Sequence, residues 1–188
     1  MTAKGPGEPV DATMSVVRAN LVALAWLPLS GLLALGPFLL LWDGDRLAST
    51  AAGLPPLPLG LALLAAGVLL HELLHAAGFL FFGRAPRAAV RIGFQRRTLT
   101  PFASCAAPVT ASAYRAAGLL PALVLGAVPV AAAWIAGSGT LLLWGWLMLA
   151  LAGGDLAAVW AMRRVPDDAL VLDHPTLVGC RVARPADS

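Results

Sequence analysis

The sequence predicts an all-α integral membrane protein with four transmembrane helices and a short cytoplasmic loop of β-hairpin character. Three observations predict it. Of the 188 residues, 59% are hydrophobic and only 12% charged, a balance far from that of a soluble domain. Four apolar runs, at about residues 19–42, 57–82, 115–136 and 140–162, each have the roughly 20 residues that a span requires. The basic residues also segregate. With the N-terminus inside, the inner segments hold Lys4, Arg18, Arg84, Arg87, Arg91, Arg96, Arg97, Arg115, Arg163, Arg164, Arg181 and Arg184, and the outer segments only Arg46. That asymmetry places both termini in the cytoplasm. The arginines then read as topology determinants and lipid-headgroup contacts, and no nucleic-acid partner is implied.

Residues 1–13 are Gly, Pro and small polar residues with little to bury, so they read as a disordered tail. The first span begins too late for a cleaved signal peptide and reads as a retained helix carrying Pro28 and Pro37. Asp43-Gly44-Asp45 predicts a polar turn, and a short outer loop runs to Pro55-Pro56. After the second span comes the longest stretch outside the membrane, residues 83–113. Within it, residues 88–94 and 98–105 have β character on either side of Gln95-Arg96-Arg97. Thr110 or Ser112 is the expected cap of the third span, which carries Pro121 and Pro129. Gly137-Ser138-Gly139 turns the chain into the fourth. Residues 14–180 thus form one membrane-embedded domain, and 181–188 a flexible tail.

Chemistry concentrates in His71-Glu72-Leu73-Leu74-His75, inside the second span. Histidines four apart on a helix share one face, so both rings can reach one metal ion. A glutamate beside the first is where a zinc hydrolase keeps its general base. Beyond helix-end arginines, the ionisable residues inside the spans are His71, Glu72, His75 and Asp155. Such residues are expensive in hydrocarbon and mark function. Catalytic zinc commonly takes three protein ligands and a water, so His71, His75 and Asp155 are the candidate ligands and Glu72 the candidate base. Depth agrees: His75 and Asp155 each lie seven residues from the inner end of their span, about 10 Å down. The small residues Gly153, Gly154, Ala76, Ala77 and Gly78 beside them favour close helix approach.

The other candidates read more plainly. Cys105 and Cys180 both fall on the cytoplasmic side and are expected as reduced thiols, not as a disulfide or zinc ligands. His174, before Pro175, reads as a turn residue.

The order of HExxH on one span, an intervening span, and an aspartate on the next resembles the core of the site-2 proteases, the intramembrane zinc metalloproteases. Gly154-Asp155, Pro108-Val109-Thr110 leading to Tyr114-Arg115, and the run from Pro166-Asp167-Asp168 to Asp173-His174-Pro175 resemble more closely a family of small bacterial zincin peptidases (domain of unknown function 3267). In the site-2 proteases the aspartate sits in Leu-Asp-Gly or Asn-Pro-Asp-Gly, whereas here it follows two glycines and precedes Leu156. The resemblance implies a Zn2+ cofactor, a bacterial plasma-membrane location and membrane-embedded or membrane-adjacent protein or peptide substrates. The expected activity is peptide-bond hydrolysis by a zinc-activated water with Glu72 as base. Residues 88–105 could pair with an extended substrate. A non-catalytic metal-binding scaffold, or an inactive protease relative, is the alternative. Oligomeric state is not legible.

Overall fold

A computed structural model describes residues 11–95, 100–174 and 176–183. Lys4, Arg96, Arg97, Pro175, Arg184 and most of both tails lie outside the described residues.

The chain is mostly helical, but not all-α. Strand β1 (Asp11–Met14) leads into α1 (Val16–Leu41), α2 (Gly44–Ala52) and α3 (Leu57–Phe81). A hairpin follows, β2 (Val90–Gln95) and β3 (Thr100–Cys105), then the short β4 (Val109–Thr110). Next come α4 (Ala111–Pro121), a π-helical stretch (Ala122–Ala127), α5 (Val128–Ala136), α6 (Gly139–Leu151) and α7 (Gly153–Ala161). Strands β5 (Leu170–Asp173) and β6 (Val178–Val182) close the fold. The second sheet is antiparallel in the order β1-β6-β5-β4. It is built from segments too short to show alternation in sequence. Residues Asp11 to Thr13, expected in a disordered tail, pair instead with Gly179 to Arg181. Arg181 and Val182, expected in the flexible C-terminal tail, belong to β6. The expected hairpin is present as β2–β3.

Three helical stretches are long and apolar enough to cross a membrane: Val16–Leu41, Leu57–Phe81 and Ala111–Ala136. The fourth expected span is a bent pair, α6 and α7, with 43° between them. The break falls at Ala152, before two glycines of low helix propensity. A Cβ on Gly153 would lie 2.9 Å from the Cα of Ala23, so that glycine brings α7 against α1. Gly154 meets nothing within 4 Å, which removes the helix-packing role its sequence suggested. The helices turn apolar side chains outward, Leu40 and Ile135 being 88% and 84% exposed, as lipid contact requires.

Caps set the helix ends. Ser15 and Thr110 accept the backbone N–H groups of Arg18 and Ala113, at 3.3 Å each. Asp43, expected in a simple turn, caps α2 by accepting the N–H of Arg46 at 3.3 Å. Without water to bond, indoles in a span seek helix carbonyls. Trp26 donates to the Leu149 oxygen (2.7 Å), Trp42 to that of Trp134 and Trp134 to that of Ala34 (both 2.9 Å). These three bonds, with the buried cluster of Phe38, Val130, Ala133 and Leu142, fasten α1 to α5 and α6. A second cluster gathers Phe79, Val109, Ala117, Met162, Val171 and both cysteines where the sheet meets the helices. Both cysteines are buried there as thiols, not joined in a disulfide.

Arg115 is more than a helix-end charge. Its guanidinium pairs with Asp167 and donates to the carbonyls of Met162 (3.0 Å) and Val165. It thereby fastens the chain leaving α7 to α4.

Candidate metal centre

His71 and His75 lie on the buried face of α3, their rings edge to face with centroids 4.8 Å apart. Asp155 reaches both from the first turn of α7, where a carboxylate is favoured by the helix dipole. Its Oδ2 lies 2.9 Å from His71 Nε2 and its Oδ1 3.3 Å from His75 Nε2. Among the described residues these three form the group able to hold a metal ion, with one ligand atom from each inside 4.8 Å of the others. The break at Ala152 is what gives Asp155 its helix-terminal place.

The protonation of His75 decides what the cluster needs. Its Nδ1 lies 2.9 Å from the carbonyl oxygen of Ala117 on α4. A carbonyl only accepts, so Nδ1 carries the proton and Nε2 of the neutral ring presents a lone pair. That lone pair faces a carboxylate oxygen, another acceptor. The contact is attractive only with a second proton on the ring or a cation between the two atoms. Two imidazole nitrogens and a carboxylate are a donor set that suits zinc. A histidine ligand whose other nitrogen donates to a backbone carbonyl is the usual support for such a site.

The Ala117 carbonyl is available for a local reason. Pro121, four residues on, has no N–H to return to it. Gly78, one turn beyond His75 on α3, lets α4 come close: a Cβ there would lie 2.6 Å from the Cα of Ala117.

Glu72 stands beside the cluster. It borders a cavity of about 220 Å³ shared with His75, Asp155, Phe102, Tyr114 and Asp173, and a smaller one of about 130 Å³ shared with His71. The backbone N–H of Ala103 on β3 bonds to its carboxylate. The hairpin is therefore part of the site wall.

Two cavity residues were not assigned a role by sequence reasoning. The Tyr114 hydroxyl donates to Asp173 Oδ1 at 2.5 Å, and Asp173 Oδ2 accepts the N–H of Cys105 at 2.8 Å. Burial raises the Asp173 carboxyl from its ordinary value, against the lowering effect of those two bonds. Burial also raises the Cys105 thiol. The only signal in the sequence was the Tyr114-Arg115 and Asp173-His174-Pro175 runs themselves. His174 stays in its turn, where Nδ1 accepts the N–H groups of Thr176 (3.2 Å) and Leu177 (2.9 Å).

A family model described as "putative zincin peptidase" matches residues 64–170, more than half of the chain and the whole of the His71, Glu72, His75, Asp155 set. The chain belongs to that family of zincin-type metallopeptidases. No curated protein and no solved structure matches it.

Proposed function

We propose that this chain is an intramembrane zinc metalloprotease of site-2-protease type, acting on membrane-embedded or membrane-adjacent proteins. One observation carries the reading: His75, committed through Nδ1 to Ala117, turns Nε2 toward a carboxylate oxygen of Asp155, an arrangement that a cation held between the two would satisfy. His71, His75 and Asp155 would hold the zinc. When bound, zinc lowers the pKa of water and polarises a carbonyl. Glu72, at the cavity wall, takes a proton from the attacking water and returns it to the leaving amine. The Ala103 N–H keeps that carboxylate oriented.

The substrate would lie extended along β3. On the site-facing edge of this strand the Cys105 amide is held by Asp173 and the Ala103 amide by Glu72, while Pro101 has none. The edge therefore offers carbonyl oxygens, and an added strand would supply the N–H groups. The segregated arginines favour a site opening to the cytoplasm of a plasma membrane.

Glu72→Gln tests the reading. The variant should keep its zinc and its fold and lose cleavage of a membrane substrate by at least about a hundredfold. Unchanged cleavage would overturn the protease reading. Zinc bound by a wild type that cleaves nothing would support a metal-binding scaffold instead.

A further inference from the structure

Hydrolysis of a peptide bond needs a hydrogen-bond donor aimed at the carbonyl oxygen as negative charge develops there. The cavity walls narrow the choice of donor. Glu72, His75 and Asp155 are taken by the roles above, both oxygens of Asp173 are engaged by Tyr114 and Cys105, and the Ala103 N–H is already bonded to Glu72. What remains among the described polar side chains of that cavity is the hydroxyl of Tyr114, the single tyrosine of the chain.

We propose that Tyr114 is the catalytic donor to the oxygen of the carbonyl under attack, and that Asp173 is the residue that positions it. The inference rests on the metallopeptidase reading. Two direct contacts and one behind them hold the phenol in place at the cavity wall. Asp173 binds its hydroxyl at 2.5 Å, Phe79 meets its ring edge to face at 5.5 Å, and the Asp173 carboxylate is itself fixed by the Cys105 N–H. Tyr114 also lies in the first turn of α4, three residues before Ala117, whose carbonyl orients His75. One rigid segment thus registers the donor against the metal ligand. Rotation about the phenol C–O bond moves the proton from Asp173 to a substrate oxygen, with no covalent change. A protonated Asp173 would then donate to the phenol oxygen. Its raised carboxyl, a consequence of burial, brings that neutral form closer to working pH.

The test pairs turnover with two binding probes in detergent. Tyr114→Phe keeps the ring and its Phe79 contact. It should lower kcat on labelled casein about 10²–10³-fold, the loss typical of one such donor, with KM and zinc content within about twofold. A phosphinic peptide, which presents tetrahedral oxygens, should bind the variant at least tenfold more weakly, while a peptide hydroxamate loses less than threefold. With ¹³Cζ-labelled tyrosine the wild type gives one resonance. It should shift when the phosphinic peptide binds, and Asp173→Asn should broaden or move it in the free protein.

A kcat within twofold of wild type, or equal losses for both probes, would make Tyr114 a structural pin and overturn the proposal while leaving the protease reading intact. A zinc-loaded wild type that neither cleaves nor binds either probe would overturn both.

Discussion

Nδ1 of His75 donates its N–H to the carbonyl oxygen of Ala117, to which Pro121, four residues on, has no N–H to offer. The pairing joins α3 to α4 at the depth of the candidate metal centre and fixes which nitrogen of His75 faces Asp155.

Two substitutions test that link. Pro121→Ala supplies an N–H that competes for the Ala117 oxygen. Gly78→Val drives a side chain into the Ala117 backbone, where even a Cβ would sit at 2.6 Å. Both should weaken zinc binding about 10- to 100-fold, the usual effect of losing a partner that orients a ligand. Gly78→Val should also cost about 1–3 kcal/mol from overpacking, whereas Pro121→Ala should leave thermal stability near wild type. Zinc affinity measured by competition with a chromophoric chelator checks both.

Arg115 and Asp167 form one ion pair with unequal partners. The arginine side chain is 18% exposed and the aspartate 83%. Removing Asp167 as Asp167→Ala deletes a solvent-screened partner and should cost less than about 1 kcal/mol. Arg115→Met strips the Met162 and Val165 carbonyls of their donor and should cost about 1–3 kcal/mol. Denaturation midpoints in a common detergent separate the two, and equal losses would contradict the account.

Asp173 makes a pH prediction with a definite sign. Its carboxyl is raised in the folded protein, so the native state binds its proton more tightly than the unfolded chain does. Its contribution to stability is therefore greatest below the unfolded value, near about 3.9. It is lost as pH rises through the folded value. Asp173→Asn removes that slope. The stability difference, wild type minus variant, should fall as pH rises from the ordinary carboxylate range through the raised value, and a flat difference would contradict the assignment.

The residues of the candidate centre were legible because the apolar spans contain so few ionisable groups. With His71, Glu72, His75 and Asp155 standing nearly alone in hydrocarbon-length runs, scarcity singled them out and helical spacing related His71 to His75; the fold brings Asp155 to that pair. The Asp155 geometry was less legible. A continuous fourth span was expected, and the break at Ala152 falls beside Gly153, which Ala23 of α1 approaches closely. The four-stranded sheet was hidden because β1 and β4 have only four and two residues and find their partners 60 or more residues away. The Tyr114–Asp173 bond was hidden for the same reason, since 59 residues separate its ends. Ordinary helix-end and turn residues concealed these long-range pairings.

The most direct test of the metal centre is zinc content, by elemental analysis, of protein purified without chelator. Wild type should hold about one zinc per chain, and His71→Ala, His75→Ala and Asp155→Ala should each lose it while Glu72→Gln retains it. A wild type without metal, or an Asp155→Ala variant that keeps its zinc, would contradict the three-ligand centre.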